Sequence, residues 1–251
     1  MTENTNTFVV LGGTGAVGSA LVRQLTAEGA NVAIGVRDVE KAGTIAEETS
    51  CDVHKVEADV PESIEACIKA TADKYDSITG VANCIGSVLL KPAHLTSDAE
   101  WHHTITTNLT SSFSLVRAAA KVMRQSGGSI VLCSSAAARI GLANHEAIAA
   151  AKAGIIGLTL SAAATYSNRG IRVNAVAPGL VKSEMTRKLW ETEEAAAVSS
   201  QMHALGRLGE PEDVANAIAW LLHPANTWIT GQTIGVDGGL GSVLTRVKVS
   251  S

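Results

Sequence analysis

Aromatic side chains are scarce in this 251-residue chain: four tryptophans, two tyrosines and two phenylalanines, 3% of the whole. Few rings and many alanines and glycines suit helices packed closely on a sheet. The four cysteines (Cys51, Cys67, Cys84 and Cys133) are scattered with no C-x-x-C. That excludes a disulfide framework or a zinc knuckle as the organising device, so no metal site is expected and the thiols read as reduced groups in or near the core. No block of like charges exists and the formal net charge is only −4, which argues against a nucleic-acid surface. No uncharged apolar run reaches the roughly 18 residues of a membrane span, and no charged-then-apolar leader opens the chain. The expectation is a soluble cytoplasmic protein with neither nucleic acid nor membrane as partner. There is no internal repeat, low-complexity tract or linker, so residues 1–251 read as one domain, with polar, frayed residues 1–6 and no clear role for 241–251.

What is present begins with a glycine turn. Thr7 to Leu11 is a short apolar strand running into Gly12-Gly13-Thr14-Gly15-Ala16-Val17-Gly18, and a helix is predicted over Ser19–Glu28. Strand, glycine turn and helix N-terminus in that order make a pyrophosphate site: the glycines permit a tight turn, and free amides and the helix dipole face the phosphates. The second strand, Asn31 to Val36, ends on Arg37, with no acid where one would bind the ribose hydroxyls of NAD. A guanidinium there suits the 2′-phosphate of NADP; the competing reading pairs Arg37 with Asp38. NADP(H) is therefore preferred over NAD(H). A helix over 39–49, a strand near 53–57 and a helix over 62–74 follow. Then come a strand at Gly80–Cys84, a long helix over 101–124 and a strand at Ile171–Val176. This alternation predicts an α/β fold, a Rossmann-type doubly wound parallel sheet flanked by helices. Adjacent His102 and His103 point about 100° apart on a helix and read as surface or interface.

The stretch from Val131 to Leu158 organises the rest. A buried strand, Ile130 to Cys133, breaks at the hydroxyl pair Ser134-Ser135, and a Gly-containing loop leads to a long small-residue helix from about Asn144. Asn144 is predicted as its N-cap. His145, Ile148 and Lys152 then fall at steps of three and four and share one face. A hydroxyl at a strand end opposite a helical lysine is an arrangement for holding a carbonyl and a cofactor sugar together.

These residues resemble the short-chain dehydrogenase/reductase family, in which a serine precedes a Tyr-x-x-x-Lys helix by thirteen residues. Ser135 and Lys152 keep that spacing, but the tyrosine position holds Ile148. The resemblance extends over roughly residues 8–240. It includes the glycine turn, where Ala16 takes the middle glycine's place and Gly12, Gly15 and Gly18 give the spacing of extended and atypical branches. It also includes Ala177-Pro178-Gly179 at a strand's C-terminal end, Arg207-Leu208-Gly209 and Val236-Asp237-Gly238-Gly239. It implies cofactor contacts from Gly12, Thr14, Gly15, Val17, Gly18, Arg37, Asp59, Val60, Asn83, Lys152, Pro178, Gly179, Val181 and Ser183. Asp59 would touch the adenine amino group, although an aspartate there also serves as a helix cap. Asn83 is expected to bond neighbouring strand backbone. Asn108 would hold a water linked to Lys152, or simply accommodate a helix bend. Residues 184–206 resemble a mobile substrate lid offering Met185, Leu189 and Trp190. A homotetramer or homodimer is also implied.

Ile148 has no proton to give, and general acid–base help typically contributes about 10²- to 10⁴-fold. Of the candidates to deliver a proton, His145 is placed first, one turn before Ile148, although the positive end of a helix disfavours an added positive charge. Glu146 points away, and a water relayed through Ser135 and Lys152 is a further route. Tyr75 and Tyr166, the two tyrosines, sit at predicted helix ends away from the sheet's C-terminal edge. Catalytic residues are thus Ser135, Lys152, Asn108 and His145. The implied function is an NADP(H)-dependent oxidoreductase of a small carbonyl or alcohol with non-standard proton delivery. The alternative is a catalytically impaired NADP(H) binder acting as sensor or partner subunit; a non-redox enzyme has no positive support.

Overall fold

A computed structural model describes residues 5–244; the expectations for residues 1–4 and 245–251 lie outside the described residues. Seven strands form one sheet: β1 (Thr7–Leu11), β2 (Asn31–Val36), β3 (Asp52–Lys55), β4 (Gly80–Asn83), β5 (Gly128–Cys133), β6 (Ile171–Pro178) and β7 (Thr233–Val236). Their order is β3-β2-β1-β4-β5-β6-β7 and every pairing is parallel. The order reverses between β1 and β4, so the sheet is doubly wound and its ligand crevice opens outside the strands' C-terminal ends.

Alternation along the strands explains the layering. Val9, Leu11, Val81, Ile130 and Leu132 face one side, where they pack with α3 (Pro61–Tyr75), α5 (Ser111–Val122) and α6 (Glu146–Tyr166). Phe8, Val10, Ile34, Ala82 and Val131 face the other, against α1 (Ala16–Ala27), α2 (Gly43–Thr49) and α8 (Pro211–Leu222). All five residues of β1 are buried, as expected for a parallel strand covered on both faces. Among the described residues one helix, α6 with the turn that continues it to Arg169, is by length and composition apolar enough to cross a bilayer; here α6 lies on β5 and β6 beside α5 as a core helix of its layer.

Several expected boundaries shift. Helix α1 starts at Ala16, not Ser19, because Gly15 takes the extended N-cap conformation directly after the turn. The segment predicted helical over 39–49 is a 3-10 turn at Glu40–Ala42 followed by α2. The long helix over 101–124 is interrupted: α4 (Asp98–Ile105) gives way to a π turn, Thr106–Thr110, before α5. Asn144 does not cap α6. Its φ is +63°, whereas an N-cap needs extended backbone; asparagine tolerates the left-handed region, and its carbonyl accepts the Lys91 amide at 2.8 Å. The helix instead begins at Glu146, with His145 in the N-cap position and no side-chain cap. His145 therefore precedes the helical face that carries Ile148 and Lys152.

Candidate active site

The end expected to hold a nucleotide is built by close backbone approach. Gly12 has φ +78°, and a Cβ on it would lie 2.8 Å from the carbonyl carbon of Cys84. A Cβ on Gly18 would collide with the Gly12 carbonyl, so glycine at 18 is what lets α1 start directly against the turn. Thr14 and Gly15 are exposed and Val17 is half-buried. Gly15 supplies no side-chain cap, which leaves the first-turn amides of α1 open to an anion.

Arg37 leaves β2 at the same edge and is exposed. The Arg37–Asp38 pairing is not formed: Asp38 pairs with Lys41 at 3.4 Å, and among the described residues Arg37 makes no ion pair. Asp59 and Val60 lie exposed before α3. Val60, not Asp59, is the N-cap, and no side chain caps the helix, so the capping role for Asp59 is not realised. Asn83 is buried, but it does not bond neighbouring strand backbone. Its Nδ2 donates to Ser112 Oγ at 3.0 Å and Ser111 Oγ at 3.3 Å on α5, and its Oδ1 accepts the Ile85 amide at 3.1 Å. A polar side chain on the α5 side of β4 finds helix hydroxyls within reach; adjacent strand backbone is already paired.

Lys152 is buried, and its Nζ donates to the Cys133 carbonyl at 2.8 Å. Burial pulls its pKa below the ordinary 10.5, opposed by the nearby Cys133 and Cys84 thiols. Ser134, which sequence reasoning grouped with Ser135 without a separate role, donates from Oγ to the Lys152 carbonyl at 2.8 Å. It ties the end of β5 to α6 at the residue that carries the lysine. Asn108 sits fully buried in the π turn. Its Nδ2 donates to Thr104 O at 2.9 Å and Ser87 Oγ at 3.0 Å, and its Oδ1 accepts the Ser87 amide at 3.1 Å. The wider π turn frees that carbonyl for side-chain bonding, and such turns gather at functional sites. A Cβ on Gly86 would lie 3.2 Å from Asn108 Oδ1 and 3.6 Å from Lys152 Nζ, so both side chains reach the same face of that glycine.

Beyond these residues opens a cavity of about 370 Å³ lined by Ser135, His145, Ile148, Pro178 and Gly179. Val88, Leu90, Leu142, Leu180, Leu189 and Met202 give its wall an apolar stretch. Ser135 Oγ accepts the Ala137 amide at 3.2 Å and keeps its own hydrogen for another acceptor. His145 Nδ1 lies 2.7 Å from the Ala143 carbonyl; a carbonyl only accepts, so Nδ1 carries the hydrogen and Nε2 is left for proton exchange.

The segment 184–206 folds as a 3-10 turn, Glu184–Leu189, and α7 (Glu193–Gln201). Of the three apolar residues expected from it, Leu189 lines the cavity. Met185 is 54% exposed, and Trp190 turns its Nε1 to Thr186 Oγ1 at 3.1 Å; neither is in the lining. Val181 is buried and bridges to Gly209. Ser183 accepts the Thr186 amide at 3.3 Å. His203 was not anticipated. It is 4% exposed, lines the cavity, and its Nε2 accepts the Leu180 amide at 3.1 Å. A Cβ on Gly179 would come within 2.7 Å of that nitrogen, so the Pro-Gly turn is shaped to admit the imidazole.

Tyr75 and Tyr166 end α3 and α6, and the Tyr75 hydroxyl bonds Asp52 Oδ2 at 2.9 Å at the start of β3. Tyr75 therefore lies at the edge of the sheet opposite the site.

Residues 13–241 match a family model described as enoyl-(acyl carrier protein) reductase. The chain is 35% identical over 236 residues to a 3-oxoacyl-(acyl-carrier-protein) reductase of Vibrio cholerae, covering 92% of this chain and 96% of that one. Among solved structures, it is similar to a short-chain type dehydrogenase/reductase from Mycobacterium ulcerans (TM-score 0.91, 27% identity, 96% of this chain and 91% of that one). It is also similar to ElxO with NADP bound (TM-score 0.89, 27% identity, 94% and 98%). The Ser135 and Lys152 spacing, the doubly wound sheet and matches along nearly the whole length agree: the chain belongs to the short-chain dehydrogenase/reductase family of oxidoreductases.

Proposed function

We propose that this protein is a single-domain, cytoplasmic, NADP(H)-dependent oxidoreductase that interconverts a small apolar carbonyl compound and its alcohol, with a proton route that does not use tyrosine. The observation that carries the reading is that buried Lys152 and Asn108 and half-buried Ser135 lie at the C-terminal edge of the sheet, where the Gly12–Gly18 turn opens. The close approach of that turn to Cys84, with no side chain over the first amides of α1, leaves room for a pyrophosphate. Gly12, Thr14, Gly15, Val17 and Gly18 would hold the phosphates, and exposed Arg37 a 2′-phosphate. Asp59 and Val60 would flank the adenine; Asn83, Lys152, Pro178, Gly179, Val181 and Ser183 would border the nicotinamide end. The NADP held by a solved relative supports this choice over NAD. The bound cofactor would supply hydride.

The chain's own residues do the rest. Ser135 Oγ–H donates to a carbonyl oxygen in the cavity, and Ile148 with the surrounding leucines excludes water. His145, fixed by Ala143, exchanges a proton at Nε2: as base it takes the alcohol proton in oxidation, and as imidazolium it gives one in reduction. A homodimer or homotetramer belongs to the same proposal.

Ile148 favours a second reading, an NADP(H)-binding sensor or partner subunit without turnover. NADPH consumption against ketones, diketones, quinones and enones, with native protein and Ile148→Tyr side by side, separates the two. Turnover by native protein that falls in His145→Ala supports the enzyme. Activity confined to Ile148→Tyr supports the binder. Silence from both with NADPH bound also favours the binder, and failure to bind NADPH overturns both.

A further inference from the structure

Two cysteines that are far apart in sequence come together at the mouth of the cofactor cleft. The β4–β5 register pairs Asn83 with Leu132, so Cys84 and Cys133, one residue on, are lateral neighbours at the strands' C-terminal ends. Both side chains pack against the same apolar cluster and hence share a sheet face. Adjacent strands lie about 4.8 Å apart, within the Cα span of about 4.4–6.8 Å that a disulfide accepts. Both are partly exposed, whereas Cys51 and Cys67 are buried.

We propose that Cys84 and Cys133 are an oxidisable dithiol whose reversible disulfide closes the cofactor cleft. The two thiols differ in character. The adjoining Cys84 thiol and the Lys152 ammonium, whose Nζ bonds the Cys133 carbonyl, together lower the Cys133 pKa against the effect of burial. The closeness of Cys133, with burial, raises that of Cys84. Burial alone pushes Cys67 up to about 12 and leaves it inert.

With a peroxide as oxidant, the Cys133 thiolate attacks one oxygen and breaks the O–O bond, forming a sulfenic acid while the other oxygen leaves as water after taking up a proton. The Cys84 sulfur, losing its proton, then displaces the sulfenic hydroxyl as a second water and the S–S bond forms. Two thiols are oxidised and one peroxide is reduced to two waters.

The consequence follows from what holds the two strand ends. The Gly12 turn is pressed against the Cys84 carbonyl, the Cys84 amide donates to Leu11 O at 2.8 Å, and Lys152 holds the Cys133 carbonyl at 2.8 Å. Disulfide Cβ atoms sit about 3.5–4.5 Å apart, closer than neighbouring strands allow without tilting. Drawing the two residues together therefore shifts the glycine turn and swings a carbonyl away from Lys152. A bond formed under such strain is readily reduced.

The test treats the full-length reduced protein with a small excess of hydrogen peroxide and maps its peptides without reductant, beside an NADPH titration. The expected result is one cross-link, Cys84 to Cys133, with Cys51 and Cys67 still free. NADPH affinity should fall at least about tenfold and return with dithiothreitol. In Cys84→Ser, a sulfenic-acid probe should label Cys133; in Cys133→Ser, Cys84 should stay unlabelled. No cross-link, a cross-link to another cysteine, or a Cys84–Cys133 bond that leaves NADPH affinity unchanged would overturn the proposal. The affinity arm rests on the nucleotide-binding reading, but the cross-link map does not. Reduced protein that bound no NADPH would sink that reading while the map still decided the dithiol.

Discussion

The Nε2 of His203 accepts the backbone amide of Leu180 at 3.1 Å, while its Nδ1 bonds the Ser199 carbonyl at 2.8 Å. One neutral imidazole thus joins the end of the 184–206 segment to the Pro-Gly turn after β6. Because both partners are backbone groups, the tie is independent of what other side chains fill the cavity.

Replacing His203 with alanine leaves the part-buried Leu180 amide without its acceptor and should cost about 1 kcal/mol of stability. It should also free the segment 184–206. Limited proteolysis should cut within that segment faster in His203→Ala than in the native protein, whereas cleavage elsewhere should follow the global loss. Equal protection of 184–206 in both proteins would show that the tie does not hold this segment.

His203 also marks where sequence reading stops. The alternation of apolar strands and helices, the glycine turn and the Ser135–Lys152 spacing are local patterns, and the doubly wound sheet follows from them. The partners of a side chain depend on which elements the fold brings together. His203, Ser134 and the Cys84–Cys133 pair each act across elements, over separations of 18 to 49 residues in the chain. Asn144 failed as a predicted cap for a related reason. Its residue type suits an N-cap, but the Lys91 segment engages its carbonyl and the backbone there is left-handed. The interruption at Asn108 was readable only as a possible bend, because a π turn leaves no periodic trace in five residues.

Gly18 gives the most direct test of the proposed nucleotide turn. A methyl group there would enter the Gly12 carbonyl, which is backbone with little freedom to yield. Gly18→Ala should therefore weaken NADPH binding at least about tenfold, a loss of about 1.4 kcal/mol. Gly43→Ala, where a Cβ meets nothing within 4 Å, serves as the control and should bind as the native protein does. Isothermal titration with NADPH and NADH checks both. Equal affinities in the two variants would remove the turn from the site.

Glu100 links the cavity wall to pH. Its carboxylate accepts Lys91 Nζ at 2.8 Å from both oxygens and the Ser97 amide at 2.8 Å. Lys91 follows the segment that carries Val88 and Leu90. The Lys91 ammonium, with the Ser97 bonds, holds the Glu100 pKa at about 2 instead of 4.5. A carboxyl whose pKa is depressed by folding stabilises the native state above its unfolded value, and that contribution is lost as the pH falls through the folded value. The Tm difference between native protein and Glu100→Gln should therefore hold near neutrality and shrink between about pH 4.5 and 2. The effect should be small for a pair this near the surface. A difference that persists undiminished toward pH 2 would assign the stabilisation to something other than the ionised carboxylate.

Lys152 separates stability from function. Burial holds its pKa below 10.5, so folding disfavours the ammonium form and the bond to Cys133 O offsets that only in part. As pH rises through the depressed value, the folded protein loses this proton before the unfolded chain does, the penalty disappears, and the lysine's effect on stability becomes less unfavourable. Lys152→Met, which keeps the aliphatic stem and removes the charge, should thus leave Tm unchanged or raised. If the ammonium bonds a cofactor sugar, the same variant should weaken NADPH binding about ten- to hundredfold, the worth of a charge-assisted hydrogen bond. Native affinity should then decline in alkaline buffer with a midpoint below 10.5. Differential scanning calorimetry beside fluorescence titration reads both quantities on one sample. Tm and affinity falling together would make Lys152 a strut between β5 and α6; affinity falling alone would make it a ligand for the cofactor.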